Sequence, residues 1–168
     1  MNLEIPVNIP LESYPVCVLC LGPRGGINTD SDLTKDHLIP EEVCGKYNPG
    51  LKPLLPIASN KFRLHAREHW KIDHDKFEAY RRRGLIGLFE YLAYDYPRST
   101  NDIVAGDQDF QIVNLFVSVH RSLSGLNGNT PKNFRGEYEE VKDFAYKYVY
   151  GWIGRMPNYQ MPRLDLSA

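Results

Sequence analysis

Residues 33–74, LTKDHLIPEEVCGKYNPGLKPLLPIASNKFRLHAREHWKIDH, constrain the fold most. Prolines and glycines break the middle of this stretch, and four of the chain's five histidines stand toward its ends. No long helix or strand can run through such a segment, because proline fixes its own φ and removes a backbone donor. The stretch therefore reads as a short strand candidate over 33–39 closed by Pro40, then a loop over 41–56 that can hold one helical turn. Ser59 and Asn60 are turn or helix-cap formers, and a helical period sets in after Leu64. Leu64, Ile72, Phe77 and Tyr80 predict a helix over 65–83, ended or kinked at Gly84.

The rest of the chain reads as scaffold. Residues 85–94 continue helically and stop before Pro97. Residues 98–106 read as a loop, 107–123 as a helix by length, and 134–153 as an amphipathic helix with Phe144, Tyr148 and Trp152 four apart. The tail beyond Pro157 reads as irregular. The tyrosines of the C-terminal half are expected in a helical core or a dimer interface.

Composition limits the function classes. At 168 residues, 42% hydrophobic and 24% charged, the chain is long enough to bury a core without staples. A net charge of -1 provides no global positive field for a polyanion, so any such contact must come from a local basic run. Arg81, Arg82 and Arg83 form one, although they equally suit the last turn of a helix. Three cysteines, two of them spaced as Cys17 and Cys20, argue for a metal knuckle in a reducing compartment over a disulfide framework. The first residues, MNLEIPVNIPLESYP, lack a basic region followed by an apolar run, and no stretch approaches bilayer length. A cytoplasmic protein without a membrane partner is the expectation.

The chemistry-bearing residues are Asp36, His37, Asn60 and His69. An imidazole can take a proton from water near neutral pH if a second group fixes its orientation. A hard divalent ion accepts carboxylate oxygen and tolerates imidazole. His37 is thus the candidate general base, Asn60 its orienting group, and Asp36 with His69 the candidate ligands of one catalytic ion. Adjacent strand residues face opposite sides, so Asp36 and His37 can flank one site only at the strand's end. Lys35 and Lys71 flank this set as candidate phosphate contacts, along with the three arginines. His74 reads as a surface residue or substrate contact, and His120 as structural.

Cys17 and Cys20, then DHLIP, then NKFRLHAREH with Asn60 and His69 in register, resemble the zinc-knuckle HNH endonucleases over about residues 16–76. The resemblance implies an α+β fold, a small ββα-metal finger followed by a mainly α-helical C-terminal half. It implies a nuclease module over 1–83 and a helical extension over 84–168, which can pack as one domain. It also implies a Mg²⁺ or Mn²⁺ ion on Asp36 and His69, general-base catalysis by His37, and a nucleic-acid substrate cut to leave a 5′-phosphate. DNA is the leading expectation for that substrate. The chain departs from the family at the second cysteine pair, where His65 and Glu68 stand. A structural Zn²⁺ on Cys17, Cys20, His65 and Glu68, or with Cys44 as fourth ligand, and a packed site without zinc all remain open. A homodimer through the C-terminal helices would suit a cutter of both strands. The alternative functions are a catalytically inactive zinc-finger-like module that binds nucleic acid or protein, and a hydrolase with His65, His69 and Asp73 on one helix face.

Overall fold

The computed structural model describes residues 17–19, 33–57, 60–126, 129–130 and 134–155. Strand β1, Leu33–His37, pairs antiparallel with β2, Lys61–His65. Thr34 lies opposite Leu64 and Asp36 opposite Phe62. Residues two apart share a face, so Thr34, Asp36, Phe62 and Leu64 make the inner face, and Asp36, Phe62 and Leu64 are fully buried. Lys35 and His37 point the other way.

Helix α1, Ala66–Glu90, follows β2 without a linker. Helix α2 spans Asp102–Ser124 and α3 Arg135–Gly154. Among the described residues the chain is mainly helical with one small antiparallel sheet, an α+β arrangement. No described helix is long and apolar enough to cross a membrane.

Three local expectations change. Residues 61–65 form a strand where the sequence reading runs from a cap toward a helix. The alternation of Phe62 and Leu64 is only five residues long and is eclipsed by the stronger period that follows. His65 consequently ends β2 and does not share a helix face with His69 and Asp73. Residues 41–56 hold two short helical segments where the sequence suggests one turn. These are a π-type turn over Val43–Tyr47 and a 3-10 helix over Pro49–Leu54, anchored by buried Val43, Cys44, Leu51 and Leu54. Proline at a helix start is tolerated because its missing N–H would be unpaired there anyway. Helix α2 begins five residues before its expected start, because the Asn101 side chain accepts from the Ile103 and Val104 amides and caps it. The knuckle beyond residue 19 and the tail beyond residue 155 lie outside the described residues.

One cluster of buried apolar side chains draws on both strands and all three helices. Phe116 of α2 meets Tyr148 and Phe144 of α3 with ring centroids 4.8 and 6.1 Å apart, and Phe110 meets Trp152 at 4.8 Å. The four-apart aromatics of α3 are thus engaged within the chain, and this face supplies no argument for a dimer.

Helix α1 turns at Gly84, where φ is 69° and ψ -151°. This backbone region is essentially reserved for glycine. The Glu137 carboxylate accepts from the Leu85 amide at 2.7 Å, so α3 caps the restarted helix. Gly84→Ala is expected to cost about 1–3 kcal/mol through backbone strain. Thermal unfolding by circular dichroism checks this, and an unchanged midpoint would refute the strain.

Candidate functional site

The inward stripe of α1 contains His69, Asp73 and Lys76 where a core-facing helix is ordinarily apolar. These residues recur at helical spacing and face the sheet's inner side. Lys76 is fully buried, and its ammonium donates to Asp36 Oδ1 and to the His37 carbonyl, each at 2.6 Å. Tyr96, just past α1, donates to Asp36 Oδ2 at 2.8 Å. Burial raises the Tyr96 phenol well above its ordinary value, with the Asp36 charge adding to it, so Tyr96 stays a donor. The two oxygens of Asp36 thus each meet a proton donor in a site without solvent.

His69 is fixed by its hydrogen bonds. Thr34 Oγ1 donates to the Leu64 carbonyl at 3.2 Å, which leaves its oxygen to accept from His69 Nδ1 at 2.7 Å. The Nδ1–H tautomer directs Nε2 toward two carboxylates, Asp73 at 3.2 Å and Asp36 at 3.5 Å. The hydrogen bond to Asp73 raises the His69 pKa against the opposing effect of burial, and the Asp36 charge assists. Ligand atoms of Asp36, His69 and Asp73 all lie within 4.8 Å of one another. Two carboxylate oxygens and one imidazole nitrogen, with the other ring nitrogen held by a hydrogen bond, suit a hard divalent ion. The three residues could hold a divalent ion of the kind the sequence leads one to expect, Asp73 offering a ligand atom beside Asp36 and His69.

His37 ends β1 and, with His69 and Asp73, lines one open cleft of about 380 Å³. Lys35, Glu41 and Glu42 form part of its wall. Asp36 lies behind the cleft, fully buried. Burial lowers the His37 pKa, opposed by Glu41, whose carboxylate is 3.5 Å from Nε2. Burial thus favours the neutral imidazole of His37, which keeps a nitrogen able to accept a proton. Asn60 is fully buried and does not enter the cleft. Its Oδ1 accepts from the Ile39 amide at 2.8 Å, Nδ2 donates to the Ile39 carbonyl at 3.4 Å, and its own carbonyl accepts from the Leu38 amide at 2.8 Å. These bonds clamp the two residues after His37, so Asn60 fixes the backbone that follows the candidate base.

The other expected site residues are dispersed. Lys71 is exposed and does not line the cleft. Arg81 pairs with Glu78 and Arg83 with Glu90, while Arg82 and Arg83 line a different cleft of about 440 Å³ beside His74 and Asp75. Cys20 and the His65 side chain lie outside the described residues. The described candidates for zinc, Cys17, Glu68 and Cys44, form no three-ligand group with one another. Burial pushes the Cys44 thiol up to about 12, and it faces the Ile39 carbonyl at 3.9 Å. His120 is buried against Tyr146, as expected of a structural histidine. Lys76 and Tyr96 are not among the residues that the sequence marks. A helical wheel would have placed Lys76 on the face of His69 and Asp73, whereas nothing local marks Tyr96.

Comparison with protein-family models, curated proteins and solved structures finds no match.

Replacing Asn60 by alanine removes the partners of a buried amide and carbonyl, at a cost of about 2 kcal/mol or more. Urea denaturation of Asn60→Ala should show that loss. Native-like stability would mean that Ile39 finds other partners.

Proposed function

We propose that the chain is a metal-dependent endonuclease of the HNH type, with His37 as general base and Asp36, His69 and Asp73 as ligands of a Mg²⁺ or Mn²⁺ ion. The observation that carries this reading is His69. Its Nδ1–H is held by Thr34 while Nε2 faces two carboxylates, an arrangement that calls for positive charge at that point. The order of strand, strand and helix, with Asp36-His37 at the end of β1 and His69 at the start of α1, supports the same reading.

The cleft's charges favour a cation before a phosphate. Glu41, Glu42 and Asp73 outnumber Lys35 along its wall, so a bare phosphodiester meets net repulsion. A bound divalent ion would supply positive charge to the scissile phosphate and to the departing oxygen. The protein's own groups do the rest. His37 takes a proton from a water molecule as the water oxygen bonds to phosphorus. The bond from phosphorus to the 3′-oxygen then breaks, leaving a 5′-phosphate and a 3′-hydroxyl whose proton comes from solvent water. Asn60 holds the segment after His37 so that its ring keeps its aim, and Thr34 does the same for His69. DNA is the first substrate to test.

Supercoiled plasmid incubated with Mg²⁺, Mn²⁺ or EDTA is the deciding assay. Nicking should need the ion and should fall about 10²–10⁴-fold in His37→Ala, the usual range for a lost general base. Metal-independent nicking, or full activity in His37→Ala, would remove the assignment. The absence of cleavage on duplex DNA, single-stranded DNA and RNA would favour the non-cleaving binding module.

The rate should also depend on pH in a defined direction. Because the His37 pKa is lowered, its base form persists below the ordinary imidazole value of about 6.5. Activity should be retained as pH falls to that value and be lost only below it, as read from kcat/KM against pH. With the divalent ion saturating, so that proton competition at the raised His69 does not limit the rate, an acid limb above it would exclude His37 as the base.

A further inference from the structure

We infer that Lys76 is a built-in counter-ion that holds Asp36 in place and keeps the Asp36–His69–Asp73 site weak for divalent cations. The inference rests on reading those three residues as ion ligands. The Lys76 ammonium lies 2.6 Å from Asp36 Oδ1, the same oxygen that His69 Nε2 approaches at 3.5 Å. It lies 3.9 Å from Asp73 Oδ1. Two of the three ligand residues therefore already share a positive charge. With Lys76 counted, two carboxylates against one ammonium leave a single net negative charge for a doubly charged ion.

Lys76 is not placed to touch a substrate. It is fully buried, and its ammonium is engaged by Asp36 and the His37 carbonyl. Its action on an ion is therefore electrostatic and positional. Like charges repel strongly in a site shielded from water, so the ammonium opposes the ion even as it orients the carboxylate that would bind it. A phosphodiester entering the cleft adds negative charge, so ion and substrate should load together. Such a site stays largely ion-free without nucleic acid and does not scavenge metal at random.

The test is Mn²⁺ binding by the full chain, read from the electron paramagnetic resonance signal of free Mn²⁺ without nucleic acid. Lys76→Met should bind Mn²⁺ on the order of tenfold more tightly than the native protein, or better. Lys76→Arg should keep the weak native affinity because it retains the charge, and His69→Ala should lose binding in either background. Equal or weaker binding by folded Lys76→Met overturns the inference. If Lys76→Met is unfolded alone, Mn²⁺ should refold it by taking over the counter-ion's place, as read by circular dichroism. A chain that stays unfolded at saturating Mn²⁺ overturns the inference as well. Failure of every form to bind Mn²⁺ removes the ion site and this inference together. Tightened binding in Lys76→Met without cleavage of duplex DNA, single-stranded DNA or RNA by the native protein removes the nuclease reading and leaves the role of Lys76 intact.

Discussion

The buried carboxylate of Asp36 is the point on which the rest of the structure depends. A charge without solvent is costly unless it is paired and its lone pairs are filled. Lys76 and Tyr96 meet both needs, and they come from different places: the middle of α1 and the segment after it. Removing one partner of such a pair typically costs about 3–5 kcal/mol, because the survivor keeps its desolvation without compensation. The polar bonds of Asp36 thus fix how α1 sits on the sheet. Lys76 adds a bond to the His37 carbonyl, so the same cation anchors the strand end that presents the candidate base.

The helices extend this anchoring outward. Tyr96 packs edge-on against Phe62, the residue opposite Asp36, with ring centroids 5.4 Å apart. Arg98 donates to the Tyr96 carbonyl and to Asp109 of α2, each at 2.7 Å. Gln111 of α2 donates to the Lys61 carbonyl at 2.7 Å, and Lys61 is the partner of His37 in the sheet. Helix α2 is therefore bonded to both sides of the site although it contributes nothing to the cleft. Glu137 of α3 caps α1 where Gly84 redirects it, which lets the second half of α1 return its apolar face to the core. A two-stranded sheet is too small to hold a charged site rigid by itself, and the helical half supplies the missing support.

What could be read in the sequence follows the range of the interactions. Asp36, His37, Asn60 and His69 are recognisable because each stands beside a local marker: the strand end before Pro40, the turn at Asn60 and the helix that follows. The kink at Gly84 is legible for the same reason, as only glycine adopts that backbone readily. Lys76 is hidden because a lysine in a helix reads as solvated, and only its partner 40 residues away makes it buried. Tyr96 is hidden more deeply, since its bond spans 60 residues and tyrosines are plentiful in this chain. The two short helical segments around Pro49 exceed the one turn the sequence suggests, because proline breaks a helix interior but suits a helix start.

The two histidines of the cleft illustrate how packing assigns chemistry that residue type leaves open. Both are imidazoles with the same ordinary pKa, and both are partly buried at the edge of one cleft. His37 is governed by burial, and Glu41, the stronger of the carboxylates that oppose it, is well exposed and too weak to reverse the shift. His69 is governed by the hydrogen bond to Asp73, with Asp36 behind it, and its pKa rises. Environments that push like groups apart divide them into roles. The lowered imidazole is suited to accept a proton. The raised one is suited to hold positive charge against two carboxylates, as a proton when alone or as a ligand when a cation replaces that proton. The sequence assigns these two roles by position alone, and the packing around each ring supplies a physical reason for the same division.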